Sequence, residues 1–546
     1  MSAAVSAPSR NAPCHCGSGK RYKDCHGALR ATATGWVERG LAQIKARDFD
    51  AAEASLREAQ HLAPNDARVH ANLGTLYVHW QRYADAQESL AAALSLAPDE
   101  PYVLALLAHT RQSQCAWHDL SSLHERIAYI LDHGGEAGSA CDPFPLLSMP
   151  ITAQQQLVAA QRYAHGFAPS NPMRPPALAV TRGDRIRIGF VSSDFRRHAT
   201  AALMTEFWER IDRSRLEPFA YGIFARDTGR VGQRIERAFE HFADVSSEPV
   251  DRIARRIRND RIDVLFDLNG YTRSAQPQIF ALRPAPIQVN AIGFQGTLGA
   301  EWYDYILTDR FSMPERLTPF FTEESLFMPH TLYPSDTTRL APGPPPSRAA
   351  CGLPEHALVF CCFNNAYKIL PEVFAIWMRL LEAVADSVLW LLETHPAAKE
   401  NLRHEAALAG IDPSRLVFAP LVDLEQHVAR NAAADLFLDT YPYGAHTTAN
   451  DALLAGLPLL TRVGETLASR IAGSQLHAVG LPELVTESFA DYEALALRLA
   501  TQPELLKSYR ERLAMQGLES SLFDMDRYAR DFADAVQRIE ARHRTR

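Results

Sequence analysis

The chain has 546 residues, 47% hydrophobic and 22% charged, with a formal net charge of −8 from 56 basic and 64 acidic side chains. That length exceeds a single compact core and predicts three or four domains, and that charge excludes a global basic field for nucleic acid. No run approaches the ~20 apolar residues of a membrane span, the N-terminal MSAAVSAPSRNAP lacks the apolar core of a secretory signal, and eight cysteines at this length do not make a disulfide framework. A reduced, cytoplasmic protein without a nucleic-acid partner is expected.

Residues 10–27 read RNAPCHCGSGKRYKDCHG. Cys14, Cys16, Cys25 and His26 supply three thiolates and one imidazole, a donor set that closes a tetrahedral zinc site. Gly17 and Gly19 allow a tight turn between the ligand pairs. So short a segment buries no core, so the metal must supply its folding energy. The competing explanation is a disordered tail with chance cysteines. The segment closely resembles the SEC-C motif, a resemblance that implies structural zinc and a docking role.

Across residues 33–135 a period of 34 appears. Gly40 and Gly74, Ala52 and Ala86, Leu56 and Leu90, Ala59 and Ala93, and Pro64 and Pro98 each stand 34 apart. Small residues at this period, with Pro after each second helix, resemble the tetratricopeptide repeat. Two copies are clear; a third, from about 103 to 132, is degenerate. The repeats are either a groove for acceptor polypeptides or a helical spacer. Residues 136–184 read as a helical linker.

From Arg185 the pattern becomes short apolar runs separated by helix-like segments. The first set, in 185–335, is RIRIGFVSS, FAYGIF, IDVLFDLNG, IQVNAIGF and YDYILTD; a Pro-rich connector fills 336–350. The second set, in 351–520, is ALVFCCFN, SVLWLLE, RLVFAPL, ADLFLDT and LPLLTR, and residues 521–546 form a C-terminal helix. Buried parallel strands read as continuous apolar runs, so two doubly wound α/β lobes facing each other across a cleft are expected. Neither half carries G-x-G-x-x-G after a strand, and no P-loop is present, which disfavours dinucleotide oxidoreduction and ATP hydrolysis.

Between ADLFLDT and a helix pattern lies YPYGAHTTANDALLAG, with Tyr441, Tyr443, His446, Thr447 and Thr448 together. A helix start beyond a strand's carboxyl end attracts phosphate. The competing explanation is a capping box between Thr448 and Asp451. CCFNNAYKILP puts Lys368 at a strand tip, where an ammonium offsets charge growing on a leaving phosphate; a solvated surface lysine is the alternative. LVDLEQHVAR puts His427 at another strand exit, where a lone histidine is more often structural than functional.

FNNAYK, EQHV, HTTANDALLAG and GETLASR, preceded by VSSDFRRHAT, DLNGYT and ALRPAPIQVNAIGFQGTLG, resemble the O-linked N-acetylglucosamine transferase and SPINDLY family from about residue 185 to 525. The resemblance implies a GT-B fold and an inverting, metal-independent transfer of N-acetylglucosamine from UDP-N-acetylglucosamine to Ser or Thr hydroxyls. By motif, Lys368 matches a lysine on the donor diphosphate, Asn365 a polar donor-site residue, and Tyr367 the sugar side. His446, Thr447 and Thr448 match the diphosphate turn, Asp451 the ribose-binding carboxylate, and His427 a histidine beside the base. His198 matches a histidine proposed to assist the acceptor hydroxyl. Leu424 stands where animal enzymes carry a lysine, which keeps another donor, such as GDP-fucose, open. A catalytically silent repeat and zinc scaffold is the third alternative. The single Asp-x-Asp, Asp524-Met525-Asp526, opens the last helix and reads as a cap.

Overall fold

The computed structural model describes residue 21 and residues 32–134, 140–169, 176, 185–340 and 344–545. The SEC-C segment, with Cys14, Cys16, Cys25 and His26, lies outside the described residues. The chain divides into two compact units, one running to Arg111 and including Asp119–Ile130, the other made of Gln112–His118 and everything from Leu131 onward.

The first unit is helical. Helices α1 (Ala33–Lys45) and α2 (Phe49–Leu62) pair, as do α3 (Ala67–His79) and α4 (Tyr83–Leu96); α5 (Pro101–Ser113) and α6 (Leu120–His133) follow. Thr32, Asp48 and Asp66 cap the first three through side-chain oxygens. The 34-residue period is a packing period. A Cβ built on Gly40 would lie 2.7 Å from Leu56 Cγ, and one on Gly74 would lie 2.5 Å from Leu90 Cγ. Close helix approach therefore requires the glycine, and the same approach recurs one repeat later.

The second unit opens with α7 (Pro143–Leu146) and α8 (Ala153–His165), the latter started by a capping box of Thr152 and Gln155. A seven-stranded sheet follows: β1 (Ile186–Ser192), β2 (Leu216–Gly222), β3 (His241–Asp244), β4 (Val264–Asp267), β5 (Ile287–Asn290), β6 (Tyr305–Asp309) and β7 (Glu324–Met328). Its order is β3-β2-β1-β4-β5-β6-β7, and every pair is parallel. The second sheet holds β8 (Leu358–Cys362), β9 (Ser387–Leu392), β10 (Leu416–Ala419), β11 (Leu436–Leu438), β12 (Leu459–Arg462) and β13 (Val485–Thr486), ordered β10-β9-β8-β11-β12-β13 and again all parallel. Five strands per lobe were legible as apolar runs. The structure adds β3, β7 and β13, each at the edge of its sheet and each short or half-exposed.

The two sheets make a pair of Rossmann-like lobes. Each reverses its strand order once, between β1 and β4 and between β8 and β11. In open α/β sheets those reversals are where ligands bind. The last helix, α12 (Met525–Arg544), leaves the second lobe and packs on the first: Phe532 meets Phe207 at 4.8 Å and Phe266 at 5.2 Å between ring centroids. As expected of the Asp-x-Asp, Asp524 caps this helix by accepting from Arg527 N. Among the described residues no helix is long and apolar enough to cross a membrane.

Candidate functional site

The second lobe's reversal point gathers the turns after β8 and β11. After β8 the chain makes a 3-10 turn over Ala366–Lys368. Lys368 is not a solvated surface residue; it is only 7% exposed. Its Nζ donates to the Gly444 carbonyl at 2.9 Å and sits 3.6 Å from the centre of the Tyr443 ring. Burial pushes this ammonium down to about 7, against the opposing pull of the Asp439 carboxylate.

Asp439, just past β11, builds the turn that receives Lys368. Oδ1 accepts from Thr440 N at 2.7 Å, Ala445 N at 2.6 Å and Asn364 Nδ2 at 3.1 Å, while Oδ2 accepts from Thr461 Oγ1 at 2.7 Å. Burial raises its pKa and these hydrogen bonds lower it; four donors on one carboxyl group fit the carboxylate form. Asn364 also donates to Thr440 Oγ1 and accepts from Thr448 Oγ1, so one buried amide ties the β8 turn to the β11 turn. Its exposed neighbour Asn365, the residue expected at the donor, makes none of these bonds.

Helix α11 (Thr447–Leu454) starts at that turn. His446 is its N-cap residue, and no side chain caps it. The competing capping box of Thr448 and Asp451 does not form: Thr448 lies inside the helix rather than at its N-cap, and its hydroxyl donates to Asn364. The first-turn N–H groups of a helix have no intrahelical acceptor, so this uncapped start presents donors together with the positive end of the helix dipole. The His446 ring is committed to the protein: Nε2 lies 2.9 Å from the Ala468 carbonyl and Nδ1 3.3 Å from the Tyr333 hydroxyl. A carbonyl only accepts, so Nε2 carries the proton. Burial holds this imidazole neutral, far below its ordinary pKa. His446 thus shapes the turn with its ring, both of whose nitrogens are engaged by the protein.

His427 lies in helix α10 (Leu424–Arg430), beyond the exit of β10. Its Nδ1 faces Arg430 Nη2 at 2.7 Å, and its Nε2 stands 3.8 Å from Asp451 Oδ2. Burial pushes its pKa down to about 4. Asp451 in turn is ion-paired through Oδ1 to Arg339, a residue of the Pro-rich connector. Tyr367 is half-buried, with Phe144 of α7 6.4 Å and Tyr443 6.3 Å away between ring centroids.

The first lobe's reversal point is built alike. Asn269, after β4, accepts from Ser193 N at 2.8 Å and donates to Ser193 Oγ at 2.9 Å and Asp194 Oδ2 at 2.8 Å, after β1. His198 is the N-cap of α9 (Ala199–Arg210). Its Nδ1 accepts from Thr200 N at 3.2 Å and lies 3.5 Å from Asp194 Oδ2. The side chain is 42% exposed; what desolvation it keeps lowers its pKa, and Asp194 opposes that. Arg197 crosses to Asp423, the N-cap residue of α10, so this loop faces the second lobe on the His427 side.

Lys368, Tyr367, His446 and Thr448 therefore gather at the turns after β8 and β11, His427 stands 3.8 Å from Asp451 beside them, and His198 stands at the corresponding turn of the other lobe. Asn364, Asp439 and Arg339 were not legible in the sequence. Asn364 is one of two adjacent asparagines, and Arg339 reaches a partner 112 residues away.

The model of glycosyl transferase family 41 matches residues 146–343 and 345–532, that of the SEC-C motif residues 10–28, and a tetratricopeptide-repeat model residues 43–109. The chain is 35% identical over 445 residues to a probable UDP-N-acetylglucosamine–peptide N-acetylglucosaminyltransferase, SEC, of Arabidopsis thaliana, covering 78% of this chain and 45% of that one. It is 30% identical over 536 residues to the UDP-N-acetylglucosamine–peptide N-acetylglucosaminyltransferase of Caenorhabditis elegans, covering 77% and 45%. The chain thus spans a little under half the length of these relatives. Among solved structures, a mutant O-GlcNAc transferase of Thermobaculum terrenum shares the fold, with a TM-score of 0.76, 23% identity, and coverage of 95% of this chain and 98% of that one.

Proposed function

We infer the activity of this chain from one premise: it belongs to glycosyl transferase family 41. On that premise it is a protein O-glycosyltransferase that moves N-acetylglucosamine from UDP-N-acetylglucosamine to Ser or Thr hydroxyls, inverting the anomeric centre without a metal ion. The observation that carries this reading is the buried Lys368 ammonium beside the uncapped start of α11, at the reversal point of the second sheet.

The donor diphosphate lies against Lys368 and the first-turn N–H groups of Thr447 and Thr448, with the sugar toward Tyr367 and the ribose and base toward Asp451 and His427. Asn365 borders the donor at the mouth of the crevice. The acceptor oxygen attacks the anomeric carbon from the face opposite the diphosphate. A C–O bond forms there as the bond to the β-phosphate oxygen breaks, and the electron pair leaves with UDP. Lys368 and the helix start meet the growing charge, a preorganised contribution of about 3 kcal/mol per donor removed. His198 takes the hydroxyl proton at Nε2. That requires the proton on Nδ1, so the ring must give up the bond it accepts from Thr200 N and turn that proton toward Asp194 Oδ2, 3.5 Å away.

The repeats hold acceptor polypeptides, and Cys14, Cys16, Cys25 and His26 hold a structural zinc; three thiolates and an imidazole fit that ion. The expected metal content is about one zinc per chain. Protein carefully prepared and found free of zinc removes that part of the reading. Transfer that stops in chelator and returns with added magnesium or manganese removes metal independence.

The deciding experiment is a thermal-shift screen with UDP, GDP and their sugars, since a ligand selective for the native state raises its melting temperature. UDP and UDP-N-acetylglucosamine are expected to stabilise the protein most, and Lys368→Ala to abolish transfer while the protein stays folded. Wild-type turnover in that variant overturns the leaving-group assignment. The second reading, a guanosine-diphosphate sugar donor, is favoured by Leu424 at the start of α10, and larger shifts with GDP sugars would establish it.

A further inference from the structure

The Pro-rich connector begins as a buried strap. Ser335 Oγ donates to Asn450 Oδ1 at 2.7 Å, and Arg339 Nη2 donates to the same oxygen at 2.9 Å. Arg339 Nη1 pairs with Asp451 Oδ1, and its Nε donates to the Asp336 carbonyl at 3.0 Å. The side chains of this pair are 6% and 4% exposed. The strap is also fastened to the first lobe. Asp336 takes Arg234 Nη1 at 2.6 Å, and Glu206 takes Thr337 N at 2.8 Å and Thr337 Oγ1 at 2.7 Å.

A buried arginine held at three donor positions is a rigid element. It holds one oxygen of Asp451, Oδ1, in place. The other oxygen, Oδ2, stands 3.8 Å from His427 Nε2, too far for a hydrogen bond. His427 cannot turn freely to close that distance, because its Nδ1 is engaged by Arg430. One carboxylate oxygen is thus spent on the strap and one is kept beside the imidazole at the edge of the crevice.

We propose that Arg339 is a positioning residue for the nucleotide: by holding Asp451 Oδ1 it aims Oδ2 at the ribose hydroxyls of the donor. This rests on the donor site argued above. It adds that ribose recognition is set by a residue of the connector, outside both strand-to-helix turns. Because the same strap is bonded to Arg234 and Glu206, it also links ribose recognition to the first lobe.

The test compares UDP with 2′-deoxy-UDP by calorimetry on the full chain. A carboxylate that accepts a ribose hydroxyl makes wild type prefer UDP by about tenfold or more. Arg339→Gln is expected to bind both nucleotides with nearly equal affinity. Arg339→Lys keeps the charge but cannot hold Asn450 and Asp451 together, and should recover part of the preference. Asp451→Asn sets the floor. A merely structural role for Arg339 would lower the melting temperature and weaken both nucleotides alike. An unchanged ratio in Arg339→Gln, or in Arg339→Lys where the glutamine variant does not fold, overturns the proposal. So does wild type that binds UDP and 2′-deoxy-UDP equally, an outcome that leaves the transferase reading standing. Wild type that binds no nucleoside diphosphate removes the transferase reading itself.

Discussion

At the scale of single residues the site is governed by one lysine kept in a place that disfavours its charge. An ordinary Lys titrates at 10.5, and burial brings Lys368 to about 7. Between these values the unfolded chain binds the proton and the folded chain does not, so this residue makes stability rise with pH from about 7 to 10.5. Below that window the folded state carries the full cost of a buried ammonium. A bound diphosphate reverses the preference by pairing with the charge. A terminal phosphate has its second pKa near about 6, so it is doubly charged throughout. Affinity for UDP should therefore fall as pH rises above 7, by at most about tenfold per unit. Proton uptake should accompany binding, measurable by titration calorimetry in buffers of different ionisation enthalpy. Lys368→Met should flatten the profile; a slope that survives in that variant assigns the proton elsewhere. The lysine itself was visible in FNNAYK, but its burial was not. The Tyr443 ring that meets it and the Asp439 carboxylate whose charge acts on it follow a strand more than seventy residues downstream and come near it only in the fold.

At the scale of elements, what was legible depended on how completely an element is buried. Strands β1, β4, β8 and β9 are covered on both faces and appear as apolar runs. Strand β3, with His241 and Asp244 exposed at its ends, gives no such run, and β13 is only two residues long. The burial of the connector was illegible for a related reason. Prolines and a Thr-Thr-Arg sequence have no period to read, yet Asp336 and Arg339 are buried, at 2% and 5% exposed. In the repeats the period was legible because it is a contact period. Gly74→Ala puts a methyl group where Leu90 already lies 2.5 Å away, on a helix whose partner must shift to admit it. Overpacking of this kind costs typically about 1–3 kcal/mol, set against the roughly 1 kcal/mol by which alanine favours a helix over glycine. A net loss of stability is expected in the helical unit, visible as a lower first thermal transition. An unchanged or raised transition would show that Leu90 moves aside at little cost.

At the scale of the whole α/β unit, chain order and spatial order part company at the C-terminus. The second lobe's sequence ends by returning α12 to the first lobe, where Phe532 is 1% exposed among Phe190, Phe207 and Phe266. Tyr528 of the same helix donates to the Leu332 carbonyl at 2.7 Å, close to the start of the strap that carries Arg339. The first lobe is thus completed by a helix encoded after the strands of the second lobe, and the loop bearing His198 lies on a lobe whose core that helix fills. Phe532→Ala removes an aromatic ring from that core, a change worth about 3–5 kcal/mol. Because Lys368, Asp439 and α11 belong to the other sheet and its turns, the loss should be uneven. Hydrogen exchange is expected to quicken in β1 and β4 and in the loop around His198, while β8 and β11 keep their protection. UDP should still bind with close to wild-type affinity, and transfer to an acceptor polypeptide should fall. Equal loss of protection in both sheets would mean that the lobes unfold as one, and that the strap and α12 join them more tightly than their separate cores imply.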